Sequence, residues 1–503
     1  TLRLQVVERR KLRFKDWVHS DIPYHSPSTA TKDFCPTMSM EQQDKQVCVI
    51  GCGSSGMPMV KALVDRGISF DCFEVGDDIG GNWAINNSNG MSAAYESLRI
   101  NTSREAMEYA DLPMSAEYPV YPAHHEIKEY FDEYVTRFEL RKHVTFNTRV
   151  EHCEQNPEGS WNVTCDNGET KTYEQLIVAN GHHWNPRWPE PAIPGSFNGL
   201  VMHSHSYISP FDPVDFSGKN IVVVGMGNSA MDIACELSQA SLENTVYLSI
   251  RNSAWVLPRF LFGQPLGGKS NFFPPWRVLS AITEFVLRFT HGTPMAHGLP
   301  KPNHRALQSH PTISQHIYDK LDQGEVLAKA TIAELHGDRV KFTDNSEVEA
   351  DVIIYATGYQ VTFPFFAENF ISAPSNELPL WQHMVKPDVQ NLFFVGLMQP
   401  LGAIMPLAEK QAKLIGDVLL RKIKLPSLND MLESMQQETV AMRNRYINSV
   451  RHTMQVDAPH YNKVLDGIRT TGSQSATRDA PRLNERGKPS NSKAQVNPPT
   501  SSS

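Results

Sequence analysis

Glycines at fixed spacing open the chemistry of this 503-residue chain. In "VCVIGCGSSGMPMVKALVDRGISFDCFE", an apolar run leads into Gly51-x-Gly53-x-x-Gly56. A stretch with helical spacing follows, with Met59, Leu63 and Val64 on one face, and a second apolar run ends at Glu74. Gly51 permits the tight turn, Gly53 lets the backbone approach a pyrophosphate, and Gly56 lets helix and strand pack closely. Ser54 and Ser55 complete a turn whose helix N-terminus faces phosphate charge, and Glu74 is placed to take ribose hydroxyls. A structural turn in an α/β domain would need the glycines but not the terminal acid.

A second copy stands at "NIVVVGMGNSAMDIACEL", with Gly225-x-Gly227-x-x-Ala230 and Asn228 and Ser229 in the turn. Alanine in the third place is an accepted form of the pattern. The strand that follows, "TVYLSIRNS", offers Ser249 and Arg251 where the first copy has Glu74. A carboxylate repels a 2′-phosphate and an arginine binds it. The first site therefore suits FAD or NAD, and the second suits NADPH. Two dinucleotide sites on one chain imply electron transfer, most simply a hydride from NADPH to a flavin.

Between the copies lies "FNGLVMHSHSY", that is Phe197-x-Gly199-x-x-x-His203-x-x-x-Tyr207. This pattern resembles the identifying motif of the flavin-containing monooxygenases, FxGxxxHxxx[FY], and stands at the family's usual place ahead of the NADPH turn. "GDDIGGNW" (76–83), with Asn82 and Trp83, resembles the family's second flavin contact. "SLRINTSREAM" (97–107), with Asn101 and Thr102, resembles its Asn-Thr-Ser segment. "DVIIYATGY" (351–359), with Gly358, and "NLFFVGLMQPLGAIMPLAEKQA" (391–412), with Gln399, resemble its later segments. The resemblance covers about 46–420 and implies FAD and NADPH as cofactors. Val150 joins the implied flavin contacts.

The same resemblance implies a reaction in which NADPH reduces FAD and oxygen adds at flavin C4a. A soft nucleophile, an amine nitrogen or thioether sulfur, then takes the distal oxygen. Asn101 is the expected catalytic residue, because an uncharged amide can hydrogen-bond the oxygenated flavin without supplying a proton. The bland role for Asn101 is to cap the helix "TSREAMEYA". His203 and Tyr207 are expected to hold the NADPH domain over the flavin, and His203 can equally be a packing histidine. His205, His124, His125, His182 and His183 have no companion at metal-ligand spacing, so no metal site is expected.

Other classes fit less well. Baeyer–Villiger oxidation of ketones is the close runner-up: it uses the same cofactors, and its usual motif ends in Trp rather than Tyr207, but a minority of the family with a Tyr or Phe ending also oxidise ketones, so the motif leaves it open. A disulfide reductase needs paired redox cysteines beside the flavin, and Cys48 and Cys52 lie in the strand and phosphate turn. A non-oxygenating NADPH–flavin oxidase, or a flavin-binding sensor, has no use for Asn101.

The elements that must position these residues form an α/β fold of two Rossmann-like domains. The FAD domain is expected to be split over 44–184 and 325–465, with the NADPH domain 185–324 inserted. Residues 1–43 show no periodicity and Met38 and Met40 precede the first strand, so 1–37 are expected to be dispensable. The tail 466–503, poor in large apolar residues, is expected to be disordered. The aromatic insert 257–289 is the expected tunnel or lid, and its stretch 278–289 reads as an amphipathic helix covering a core or lining a tunnel.

Composition is that of a soluble enzyme: 40% apolar, 20% charged and a net charge of −8. No basic face suggests nucleic acid. Seven scattered cysteines without CxxC spacing suit reduced thiols in a cytoplasmic chain. No apolar run reaches transmembrane length, and the charged opening stretch lacks the apolar centre of a secretory leader. The partners expected are a small-molecule substrate and molecular oxygen. A homodimer is compatible with the chain, whose residues do not fix its oligomeric state.

Overall fold

The computed structural model describes residues 46–85, 87–266, 274–371, 373, 375–389, 391–446 and 453–479. The N-terminal stretch 1–43 lies outside them. In chain order, β1 (Val47–Ile50), α1 (Gly56–Val64), β2 (Phe70–Phe73), α2 (His124–Arg137), β3 (Val144–Thr145) and β4 (Gln175–Val178) come first. Next are β5 (Leu200–His203), β6 (Asn220–Val224), α3 (Asn228–Leu237), β7 (Thr245–Ser249), α4 (Trp276–Thr290), β8 (Val326–Lys329) and β9 (Val352–Tyr355). The chain returns through β10 (Leu392–Phe394) and α5 (Met405–Leu419) and reaches α6 (Ala458–Asp479).

Two five-stranded sheets result. The first has the order β10-β4-β1-β2-β3 and the second β8-β7-β6-β9-β5. Every pairing in both is parallel. Parallel strands are covered on both faces, so they read as continuous apolar runs. "VCVI" in β1 is buried at all four positions, and Ile221, Val222 and Val223 of β6 are wholly buried. Each such side chain contributes roughly 1.5–3 kcal/mol by leaving water.

The two glycine turns follow the central strands, where the crossovers reverse direction. That is the place at which open parallel sheets bind ligands. One face of the first sheet packs with α1, α2 and α5. The other packs with an antiparallel sheet of 150–155, 161–165 and 170–173 and with Phe363, Phe365 and Phe366.

Three expectations change. The boundary at 325 moves, because β8 and β9 are strands of the second sheet. "DVIIYATGY" supplies β9 between β6 and β5, and only β10 re-enters the first sheet. The tail expected to be disordered from 466 is helical as far as Asp479, since Tyr461 and Leu465 are buried in the first core and Ile468 packs on it; the rest of it lies outside the described residues. Helix α4 is mounted with Ser280 and Leu287 buried, and its Glu284 is paired with Arg305 at 2.9 Å. Its apolar stripe does not cover the core: Phe285 is 65% and Phe289 72% exposed. Part of the expected tunnel, 267–273, lies outside the described residues.

Candidate active site

The first turn is as tight as the glycines require. Gly51 has φ +96°, and a Cβ there would lie 2.7 Å from the carbonyl oxygen of Ala179. A Cβ on Gly56 would run into Gly51 O. The loop 76–83 lies directly on this turn: Gly53 bridges to Gly80, and Gly80 N donates to Cys52 O at 3.2 Å. Glu74 is buried, and its two carboxylate oxygens accept from Cys52 N at 2.7 Å and Gly76 N at 2.8 Å. Burial raises its pKa, and those backbone donors oppose the rise. Glu74 thus ties the two loops together as well as ending β2.

Several groups around this turn had no individual reading in the sequence. Tyr109 donates its hydroxyl to Ser54 O at 2.5 Å. At Gly396, φ +77°, a Cβ would collide with the Ser55 side chain, and the Gly396 N–H donates to the wholly buried Gln411 side chain at 2.9 Å. Their segments carry a turn and a helix signal, but nothing in the spacing marks those residues.

Of the other expected flavin contacts, Asn82 commits its side-chain oxygen to Ala93 N at 2.8 Å. Trp83 packs against the first core. Val150 is buried beside Phe73 in the second core layer. Thr102 is buried. Gly358, at φ +83°, accepts from Arg187 N at 2.9 Å, and the N–H of Gln399 donates to Met454 O at 2.7 Å. Asn82, Val150 and Gln399 therefore have visible structural work.

Asn101 differs. Its Oδ1 is buried and has no hydrogen-bond partner. The helix beyond it, Arg104–Met107, has Ser103 at its N-cap position without a side-chain capping bond, so Asn101 is not its cap. An orphaned buried amide costs about 1–3 kcal/mol unless something binds it.

In the second turn, Gly225 has φ +147°, and a Cβ there would lie 2.6 Å from Ala356 O and 3.3 Å from the Ala230 Cβ. Gly227 caps α3 with extended backbone. The Asn228 side chain accepts from Ile313 N at 2.8 Å, and Ser229 stands against the Tyr95 hydroxyl. Ser249 and Arg251 separate. Ser249 is buried and donates to Ala330 O at 2.9 Å, so it does not face an open phosphate site. Arg251 is exposed beyond the strand end.

The motif 197–207 is more than a linker. Its β5 is the edge strand of the second sheet, with His203 opposite Tyr355. Nδ1 of His203 accepts from His205 N at 3.1 Å, and burial holds the ring neutral, its pKa pushed down to about 3. A buried neutral ring at that pKa is a packing and positioning group. Tyr207 is fully buried, so direct cofactor contact is replaced by a bond from its hydroxyl to Glu236 at 2.9 Å. Glu236, on α3, also accepts from Ser97 at 2.8 Å, and Tyr95 donates to Asp232 of the same helix at 2.7 Å. The helix of the second turn is therefore clamped to the segment that runs into Asn101.

Two dinucleotide cradles on parallel sheets, one closed by a buried acid and the other followed by an arginine, define a two-nucleotide flavoprotein oxidoreductase. The comparisons carry this further. The family model for flavin-binding monooxygenase-like proteins matches residues 44–474. Flavin-containing monooxygenase 5 of Homo sapiens is 34% identical over 439 residues, covering 82% of this chain and 80% of that protein. Dimethylaniline monooxygenase (N-oxide-forming) 2 of Rattus norvegicus is 33% identical over 413 residues, 77% of this chain and 76% of that one. Among solved structures, the S-allyl-L-cysteine S-oxygenase of Allium sativum superposes with TM-score 0.62 at 24% identity, over 86% of this chain and 92% of that chain. A complex of OTEMO with FAD and NADP superposes at TM-score 0.69 and 18% identity, over 85% and 98%.

The chain belongs to the flavin-binding monooxygenase-like family, and is an FAD- and NADPH-dependent monooxygenase. No helix among the described residues is long and apolar enough to cross a membrane.

Proposed function

We propose that this monooxygenase oxygenates soft nucleophiles, amine nitrogen or thioether sulfur, with Asn101 as the group that steadies the oxygen-transfer step. The buried, unpartnered Oδ1 of Asn101 carries this reading. The family's cofactors fit the chain: Cβ atoms at Gly51, Gly56 and Gly225 would collide with backbone carbonyls, so the tight turns that dinucleotides need depend on these glycines. FAD, NADPH and oxygen supply the electrons and the oxygen atom; the protein supplies position and shelter. Asn101 offers a neutral amide, which orients an oxygenated group without acting as an acid. Glu74 holds the two flavin-side loops together. Tyr207, Ser97 and Tyr95 fix α3 and so the angle between the cradles. His203, kept neutral, packs without exchanging a proton.

The curated relative's printed name speaks of N-oxide formation, which supports the heteroatom reading, while structural neighbours include both an S-oxygenase and a cyclohexanone monooxygenase. The test is product analysis with FAD-loaded enzyme, NADPH and air, offering a tertiary amine, a thioether and a cyclic ketone separately. N-oxide or sulfoxide is expected. Ester from the ketone with no oxide from the other two would replace this reading with Baeyer–Villiger oxidation.

A further inference from the structure

Two adjoining clefts, about 270 and 360 Å³, open where the segment before Asn101 meets the 257–266 stretch and α3. They share Arg99, Arg259, Gln315 and His316. One wall is apolar, built from Pro119, Val120, Tyr121 and Phe260. The stretch is pinned in place: the single hydroxyl proton of Tyr121 is shared between Arg259 O at 2.5 Å and Leu266 O at 2.7 Å.

The cations here are under-used. Arg99 stands exposed at the rim, with one long contact to Tyr121 O at 3.3 Å. The Nε of Arg259 is buried with no acceptor. Lys320, by contrast, is paired with Glu325. The two acids in the wall are already satisfied: Asp232 accepts from Tyr95, and Glu236 from Ser97 and Tyr207. Burial raises the pKa of both, which weakens them as counter-ions. A buried N–H without an acceptor is costly, and although the charge of Arg259 reaches Asp232, a carboxylate is the group that matches a guanidinium fork.

We propose that this cleft binds a small organic anion, its carboxylate on Arg259 and Arg99 and its apolar part against Tyr121 and Phe260. Arg99 is two residues from Asn101. Asn101 itself lines neither cleft, and on the monooxygenase reading above the ligand proposed is the substrate: a thioether or amine that carries a carboxylate. The phosphates of NADPH share the anionic chemistry, so the experiment separates the two sources.

The probes are 3-(methylthio)propanoate and its uncharged methyl ester. Each is titrated calorimetrically into full-length, oxidised, FAD-loaded protein at neutral pH. The acid should bind at least about tenfold more tightly than the ester, the scale of one charge-assisted hydrogen bond. Arg99→Met and Arg259→Met should each weaken the acid about tenfold and leave the ester and the KM for NADPH unchanged; Arg259→Lys should keep part of the acid's advantage. Flavin content reports folding, and Arg99→Met, at an exposed position, keeps the test open if Arg259→Met fails to fold. Equal binding of acid and ester overturns the proposal. So does an acid preference that survives in the Met variants, or a loss confined to NADPH, which would make this a coenzyme phosphate site. If the acid binds as expected but neither probe is converted to sulfoxide while NADPH is consumed, the anion site stands and the heteroatom reading fails.

Discussion

The two glycine turns share one pattern and close in opposite ways. The first is sealed: Glu74 is buried and bonded to the amides of Cys52 and Gly76, the loop of Gly80 lies on Gly53, and Gly396 leaves no room for a side chain beside Ser55. The second has its serine buried against Ala330 O and its arginine free at the surface. A sealed cradle suits a resident cofactor, and an open one suits a coenzyme that comes and goes.

The sharpest way to break this contrast is to fill each turn. Gly56→Ala places a methyl against Gly51 O, backbone that cannot yield. It should abolish flavin retention, so the purified protein is colourless. Gly225→Ala meets Ala356 O at 2.6 Å in the other turn. It should leave bound FAD in place and raise the KM for NADPH roughly a hundredfold, about 2.7 kcal/mol. Flavin content and steady-state kinetics read both. Loss of FAD in both variants would show that the turns are not independent.

Next in size is Asn101→Leu, which removes the unpartnered side-chain oxygen. NADPH-driven flavin reduction, measured without oxygen, should stay within about twofold. Product formed per NADPH should fall about tenfold or more, with hydrogen peroxide making up the difference; losing one such donor typically costs about a hundredfold or more in rate. Normal coupling in that variant would leave the orphaned oxygen unexplained.

Arg251→Ala sharpens the second turn alone. Removing a charge-assisted contact should cost NADPH roughly tenfold to a hundredfold in affinity, or about 1.5–3 kcal/mol, and spare NADH. Equal loss for both coenzymes would assign Arg251 a structural role.

The smallest effect lies at the junction. His203 has an ordinary unfolded pKa of about 6.5 and a folded one pushed down to about 3. Between those values the unfolded chain binds a proton that the folded chain does not. His203 therefore lowers stability as pH falls below about 6.5, by about 2 kcal/mol from pH 7 to 5. Urea unfolding of His203→Gln should show about one proton less taken up on unfolding across that range. An unchanged slope would mean that His203 is not buried as a neutral ring.

The sequence by itself determined both cradles, because a turn that tight admits only glycine or alanine at its contact points, and a parallel strand buried on both faces must be a continuous apolar run. The motif that ends at Tyr207 was equally legible, as was the family it marks. The sequence left open how the parts are joined. Nothing in "DVIIYATGY" says which sheet it enters; β9 lies in the second because its neighbours β6 and β5 flank it there. Nothing in Tyr207 says that its partner is Glu236, 29 residues on. The strand offers Ser249 beside Arg251 at the same place, yet Ser249 turns inward to Ala330. The tail was expected to be polar and loose, yet two large side chains, Tyr461 and Leu465, hold α6 to the core. Asn101 shows the division most clearly. Its type and setting named it, but only the fold removed the capping role and left its oxygen buried without a partner. Local pattern is written in consecutive residues, whereas an unpaired atom is a property of everything that could have paired with it, and that is decided in three dimensions.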